Sequence, residues 1–114
     1  MGRWRYLLLE ELSGELPGGE VFNALKRSIV DLFGHMGLME ASPRLLYARG
    51  RYSVIRCPRG EVDRIRASLI FLSDGLGRPI AARIKSVSGT LRGLRAAIPS
   101  GGGAGGPRAR GEAG

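Results

Sequence analysis

Arginine is the side chain with the most chemistry to offer in this sequence. Sixteen of its 18 basic residues are Arg, set against ten Asp and Glu in 114 residues, for a formal charge of +8. A guanidinium is a planar fork that grips phosphate oxygens in pairs and gives up water more readily than an ammonium does. Its distribution is one-sided. Residues 1–43 hold four basic and six acidic side chains, a balance of −2, whereas residues 44–114 hold fourteen and four, a balance of +10. That asymmetry points to a polyanionic partner; a solvated basic surface, a GC-rich genome or adaptation to heat is the plainer reading of the same counts.

Other chemistry is poorly provided for. General acid–base work needs paired titratable groups in a cleft, and the carboxylates gather between Glu10 and Glu20 and are otherwise scattered. The one histidine, His35, follows Gly34 at the end of a helical pattern, where it suits a capping or surface role. The one cysteine, Cys57, closes an apolar stretch and reads as a small buried residue. A single Cys and a single His make neither an intramolecular disulfide nor a zinc set. The glycine-rich C-terminal segment lacks the Lys-Ser/Thr pair of a phosphate-binding loop. We expect no catalytic residue, no metal site and no bound cofactor. With no apolar run near the ~18 residues of a membrane span and no legible secretory leader, a cytoplasmic protein without membrane contact is expected.

The elements that must position the arginines follow from periodicity. Arg5 to Leu12 reads as a buried central strand, bounded by Ser13, Gly14, Pro17, Gly18 and Gly19. Trp4 and Tyr6 share one face of it, with core packing favoured over stacking. From Glu20 to Phe33, Val21, Phe22, Leu25, Ile29, Leu32 and Phe33 recur at helical spacing, and Gly34 marks the end. Pro43 to Ala48 and Arg51 to Cys57 flank a short turn at Arg49 and Gly50 and predict an arginine-rich antiparallel hairpin. Val62, Ile65, Leu69 and Leu72 predict a helix over 60–73. Alternation from Pro79 to Ser88 predicts a half-buried strand with Arg83 and Lys85 outward, and Leu91, Leu94 and Ile98 a short last helix over 90–98.

The order strand, helix, strand, strand, helix, strand, helix gives an α+β fold. It suits a four-stranded antiparallel sheet (βαββαβ) with two helices on one face, the ferredoxin-like, RRM-like sandwich, plus a C-terminal helix. Residues 1–98 form one domain in this reading. Residues 99–114, with seven glycines after Ser100, are too poor in apolar area to offset their ordering entropy and are expected to be a flexible basic tail. The Lys/Arg-Gly-aromatic pattern with which RNA-recognition folds stack bases is missing; the third strand offers only Tyr52. Phosphate gripping by arginines is the favoured mode of RNA contact.

Arg5-Tyr6-Leu7-Leu8, Leu32-Phe33-Gly34, Val54-Ile55-Arg56-Cys57 and Val87-Ser88-Gly89-Thr90-Leu91 follow one another in this order. Together they resemble the archaeal and eukaryotic ribonuclease P protein component 2 family, over about residues 5–95. The resemblance implies a ferredoxin-like fold and membership of a ribonucleoprotein that removes the 5′ leader of precursor tRNA. It implies that the RNA component and its Mg2+ perform the hydrolysis and that this chain is a non-catalytic supporting subunit. The partners implied are ribonuclease P RNA, protein component 3, the other ribonuclease P proteins and precursor tRNA within the holoenzyme, with a homodimer inside a heterotetramer. His35 stands where an acidic residue is usual, and the glycine-rich tail has no counterpart in the family.

Charge and expected exposure select Arg49, Arg51, Arg56, Arg59, Arg83, Lys85, Arg92 and Arg95 as RNA-binding candidates. Only Arg56 lies within a family motif, and its alternative is a charge paired with an acid. Ser88, Gly89 and Thr90 are expected to form a turn and helix start, Thr90 or Ser88 capping and Gly89 supplying an unusual backbone angle, with freed amides as a phosphate contact. The less basic N-terminal half is expected to meet the protein partner through apolar residues spare to the core. Two other classes of function stay open: an assembly-only subunit, and a ferredoxin-like small-molecule regulatory module, against which the basic C-terminal half weighs.

Overall fold

The computed structural model describes residues 2–14 and 16–95. Strand β1 (Trp4–Glu11) is followed by helix α1 (Gly18–Ala41), strands β2 (Arg44–Arg49) and β3 (Tyr52–Pro58), a 3-10 turn (Arg59–Glu61), helix α2 (Val62–Ser68), strand β4 (Ala82–Ser88) and helix α3 (Leu91–Arg95). The sheet order is β2-β3-β1-β4, with every neighbouring pair antiparallel. This is the ferredoxin-like α+β arrangement expected from the order of elements, with β1 central. The tail over 99–114 and the stretch of the last helix beyond Arg95 lie outside the described residues.

Strand alternation divides β1 between two cores. Leu7 and Leu9, with Ile55 and Cys57 of β3, face Val21, Leu25 and Ile29 of α1 and Ile65 of α2, and all are fully buried. Each such aliphatic side chain contributes about 1.5–3 kcal/mol by leaving water. Leu8 and Val54 point to the opposite face, where the fully buried Leu94 of α3 sits on them and Tyr6, Leu46, Tyr47, Tyr52 and Leu91 pack around. The third helix thus covers the middle of the face that the first two helices leave open.

Three element boundaries depart from periodicity. Gly34 does break α1, with φ +77°, but helical geometry resumes and runs to Ala41, where Ser42 caps it in the left-handed region. Resumption depends on Gly37, where a Cβ would lie 2.3 Å from the Cβ of Phe33. Because the break turns the first segment's end outward, Leu32 and Phe33, expected in the core, are exposed. Helix α2 is half the length expected. Residues after it are drawn into a turn in which the Asp74 carboxylate accepts the N–H groups of Leu76 and Arg78 at 2.8 and 2.9 Å, while Ile80 N–H donates to the Leu72 carbonyl. Leu72 and Ile80 stay buried without helix or strand around them, so β4 begins at Ala82 rather than Pro79.

Local geometry fixes where α1 starts. Gly18 N–H donates to the Gly50 carbonyl at 2.9 Å, and a Cβ on Gly18 would meet the Tyr52 carbonyl oxygen at 2.3 Å. Only glycine lets the helix approach the β2–β3 hairpin this closely.

Candidate nucleic-acid interface

The outer face of the sheet, away from α1 and α2, presents three rows of cross-strand neighbours, because directly paired residues share a face. Arg44, Arg56, Tyr6 and Ser88 make one row; Tyr47, Val54, Leu8 and Ser86 the middle one; Arg49, Tyr52, Glu10 and Arg83 the last. Helix α3 lies over the middle row. The basic candidates are therefore split between two ends of one face, about 13 Å apart along β3 at ~3.3 Å per residue.

At the hairpin end, Arg49 and Arg51 flank Gly50, which takes φ +58° in the turn, and both are exposed. Arg83 belongs to the same row, but its guanidinium is ion-paired to Glu10. Tyr52 Oη also donates to Glu10, at 3.4 Å. Burial, and after it the Glu10 charge, push the Tyr52 phenol above its ordinary pKa. Lys85 is exposed on β4 at an irregularity in its pairing with β1.

At the other end, Arg56 stacks its guanidinium 4.2 Å from the centre of the Trp4 ring and has no ion-pair partner among the described residues, where the acid considered for it is not found. Arg59 is exposed just beyond β3, its N–H donating to the Arg3 carbonyl at 3.0 Å. Trp4 joins neither buried cluster and keeps part of its surface exposed. Core packing, expected for Trp4 and Tyr6 alike, holds for Tyr6 alone. Arg3, Arg44 and Trp4 were not among the residues selected by charge. The signal for them lies in register: Arg44 faces Arg56, and Trp4 pairs with Pro58.

Helix α3 carries Arg92 outward and ends at Arg95. At its start Thr90 is the cap: Thr90 Oγ1 accepts Gly93 N–H, and Ser88 Oγ accepts Thr90 N–H, both at 3.1 Å. One of the amides considered for a phosphate, that of Thr90, is thereby engaged inside the chain. Gly89 has no positive φ, so its expected unusual angle is corrected; the side-chain caps turn the chain without it.

Two groups of the kind that do acid–base or nucleophilic work are tied down. Glu11 is fully buried and accepts from Gly14 N–H at 2.7 Å and from the Ser13 hydroxyl. Burial, aided by the Glu61 charge, pushes the Cys57 thiol up to about 11. His35 is exposed. Among the described residues, no group of three or more His, Cys, Asp or Glu is placed to hold a metal ion, and no helix is long and apolar enough to cross a membrane.

Known proteins resemble this arrangement in sequence and in shape. The Rpp14/Pop5 family matches residues 5–99. Ribonuclease P protein component 2 of Methanocaldococcus jannaschii is 35% identical over 89 residues, covering 77% of this chain and 66% of that one. The protein of the same name from Methanococcus aeolicus is 32% identical, covering 70% and 59%; that from Pyrococcus horikoshii is 28% identical, covering 80% and 78%. The chain spans between 59% and 66% of the first two relatives' length. A chain in the cryo-EM structure of yeast ribonuclease MRP superposes with a TM-score of 0.66 at 19% identity, covering 81% of this chain and 78% of that one, a likeness of fold. With a match that runs through nearly all of the described residues, this chain belongs to the Rpp14/Pop5 family.

Proposed function

We propose that this chain is a protein subunit of ribonuclease P, the ribonucleoprotein that removes the 5′ leader of precursor tRNA, and that it supports a catalytic RNA without performing the hydrolysis. The observation that carries this reading is the 35% identity to an archaeal ribonuclease P protein component 2 across 77% of the chain. A supporting role agrees with the placement of its titratable groups: Glu10, Glu11 and Asp74 are held by neighbours, and Cys57 is buried as a thiol. In this reading the Mg2+ of the reaction belongs to the RNA component, and the chain works in the cytoplasm.

Its physical contribution is to bring arginines against phosphates that RNA folding crowds together. Each neutralised phosphate releases counterions and favours the compact RNA. Arg49 and Arg51 at the hairpin, with Lys85 and Arg92, are exposed, have no ion-pair partner among the described residues and supply that charge. Protein component 3 docks on the less basic half, where α1 exposes Leu32, Phe33, Met36 and Met39. A second copy of the chain, the other ribonuclease P proteins and the precursor tRNA complete the assembly.

The test is Mg2+-dependent cleavage of a precursor tRNA by the cognate RNA, with component 3 present and this chain added or omitted. Correct 5′ processing at lower Mg2+ only when the chain is present is the expected result. Equal cleavage with and without it, at every salt concentration, would leave an assembly-only subunit or a regulatory module as the better account.

A further inference from the structure

We propose that Trp4 and Arg56 form a stacking platform for one unpaired RNA base, with Arg3, Arg44 and Arg59 holding the flanking phosphates. The proposal rests on the reading of the chain as an RNA-supporting subunit and names a site within it. Three observations meet at this end of the sheet.

The first is the stack itself. Arg56 lies 4.2 Å over the Trp4 ring, its Nε is buried without a hydrogen-bond partner, and its direct cross-strand neighbours are Arg44 and Tyr6. A guanidinium spread on an indole offers a flat, cationic, partly dehydrated surface, which suits the π-face of a base. Tryptophan in a protein core would be enclosed by aliphatic side chains, and Trp4 belongs to neither buried cluster.

The second is charge. Arg64, Arg78 and Arg83 are each ion-paired to a carboxylate, whereas Arg3, Arg44, Arg56 and Arg59 have no ion-pair partner among the described residues. The acids nearest in sequence are taken: Glu61, nearest to Arg56 and Arg59, and Glu40, nearest to Arg44, are both paired with Arg64, and Glu10, nearest to Arg3, with Arg83. Four such arginines at the end of the sheet that holds Trp4 complement a single strand of phosphates. A protein partner would call for a broad exposed apolar surface, and the most exposed large apolar side chains sit elsewhere, on the second half of α1 and in the loop after α2; at this end Val87 of β4 is 40% exposed.

The third is shape. A shallow depression lined by Gly2, Arg3, Pro58, Arg59 and Gly60 opens beside the platform, and Pro58 is the cross-strand partner of Trp4. The Arg59 N–H bond to the Arg3 carbonyl holds its two basic walls together. A base on Trp4 would thus have its backbone beside Arg3 and Arg59.

Trp4 is the one tryptophan of the chain, so its emission reports the site directly. The full chain is titrated with an oligoadenylate of about eight nucleotides and with a blunt RNA duplex of matching length. Quenching by the single strand and not by the duplex is expected. Trp4→Leu should weaken single-strand binding roughly 5- to 150-fold by anisotropy of a labelled oligonucleotide, the range that one base–aromatic stack commands, and Trp4→Phe should restore most of it. Replacing Arg3, Arg44 and Arg59 with Ala should lower the log–log salt slope by about 0.7 each. Unchanged emission with saturating single strand, or equal affinity of Trp4→Leu in chains that unfold at the same urea concentration, would overturn the platform. Emission that shifts on adding component 3 but not RNA would overturn it in favour of a protein contact. If the chain still lowers the Mg2+ requirement of tRNA processing in either case, the platform alone falls; if that stimulation is absent as well, the ribonuclease P reading falls with it.

Discussion

Arg83 reaches Glu10 with two nitrogens on one carboxylate oxygen, Nε at 3.0 Å and Nη2 at 2.9 Å. The Glu10 side chain is nearly buried and Arg83 half exposed, so the pair sits where solvent screens part of the attraction. Arg83→Ala should cost about 1 kcal/mol in urea denaturation at the exposed end of the scale, and more if Glu10 is left charged and dry. The double variant with Glu10→Gln should recover part of the loss. Arg83→Ala alone should change RNA salt dependence less than Arg49→Ala does, because the Arg83 guanidinium is already neutralised. Equal slopes for the two variants would mean that the ion pair opens on RNA binding.

Cys57 gives a pH dependence with a definite sign. Burial first, then the Glu61 charge, raises its thiol to about 11 from an ordinary value of 9.0. The folded chain therefore holds its proton where the unfolded chain has lost it, and the unfolded state binds fewer protons between the two values. Stability from this group is intact below about pH 9 and falls as pH rises toward about 11. A chain with Cys57→Ala should lack this alkaline component, measured as the difference in urea midpoint between pH 8 and pH 10.5. Alkylation at pH 8 should be negligible in the native chain and rapid in urea. Fast native alkylation would show that β3 opens readily.

Much of this architecture is legible in the sequence, because β1 and β3 are short apolar runs bounded by turn residues and the first part of α1 buries one face at helical spacing. What escapes is what depends on residues far apart in the chain. One departure is local, in α1: Gly34 after Phe33 reads as a helix end, yet the helix resumes to Ala41, with Gly37 leaving room for Phe33. The spacing of Leu91 and Leu94 marks a helix but not the face of the sheet it covers. Arg83 is correctly predicted to point outward, yet its partner lies 73 residues away and is set by the β1–β4 register. The Trp4–Arg56 stack is likewise a product of strand pairing. Counting charges finds arginines; only pairing shows which are free.

Met36 and Met39 are 68% and 73% exposed on α1 beyond the Gly34 break, with Phe33 nearby under the Arg64 guanidinium. A thioether surface of this kind adapts to an apolar partner and gains nothing in water. Met36→Glu with Met39→Glu should leave urea stability within about 0.5 kcal/mol, as exposed substitutions do, while abolishing co-purification with component 3. Retained co-purification would move the protein interface off α1, to the exposed Ile70 and Phe71 beyond α2.

The hairpin arginines make the separate case for phosphate contact. Arg49 and Arg51 sit on either side of Gly50 in the β2–β3 turn, and neither is ion-paired to a carboxylate among the described residues. A turn held by the Gly18–Gly50 hydrogen bond at 2.9 Å keeps both close to the start of α1, so the charge is presented on a fixed base at little entropic cost on binding. Changing both to Ala should lower the salt slope of binding to the cognate RNA by about 1.4 to 1.8, two contacts at about 0.7 to 0.9 each. The midpoint in urea should hardly move, since neither side chain is buried or paired. A parallel loss of affinity at all salt concentrations, with the slope unchanged, would instead assign these residues a direct or structural contact independent of phosphate charge. Comparing that slope with the one obtained from Arg3, Arg44 and Arg59 apportions the RNA face between the two ends of the sheet that α3 separates.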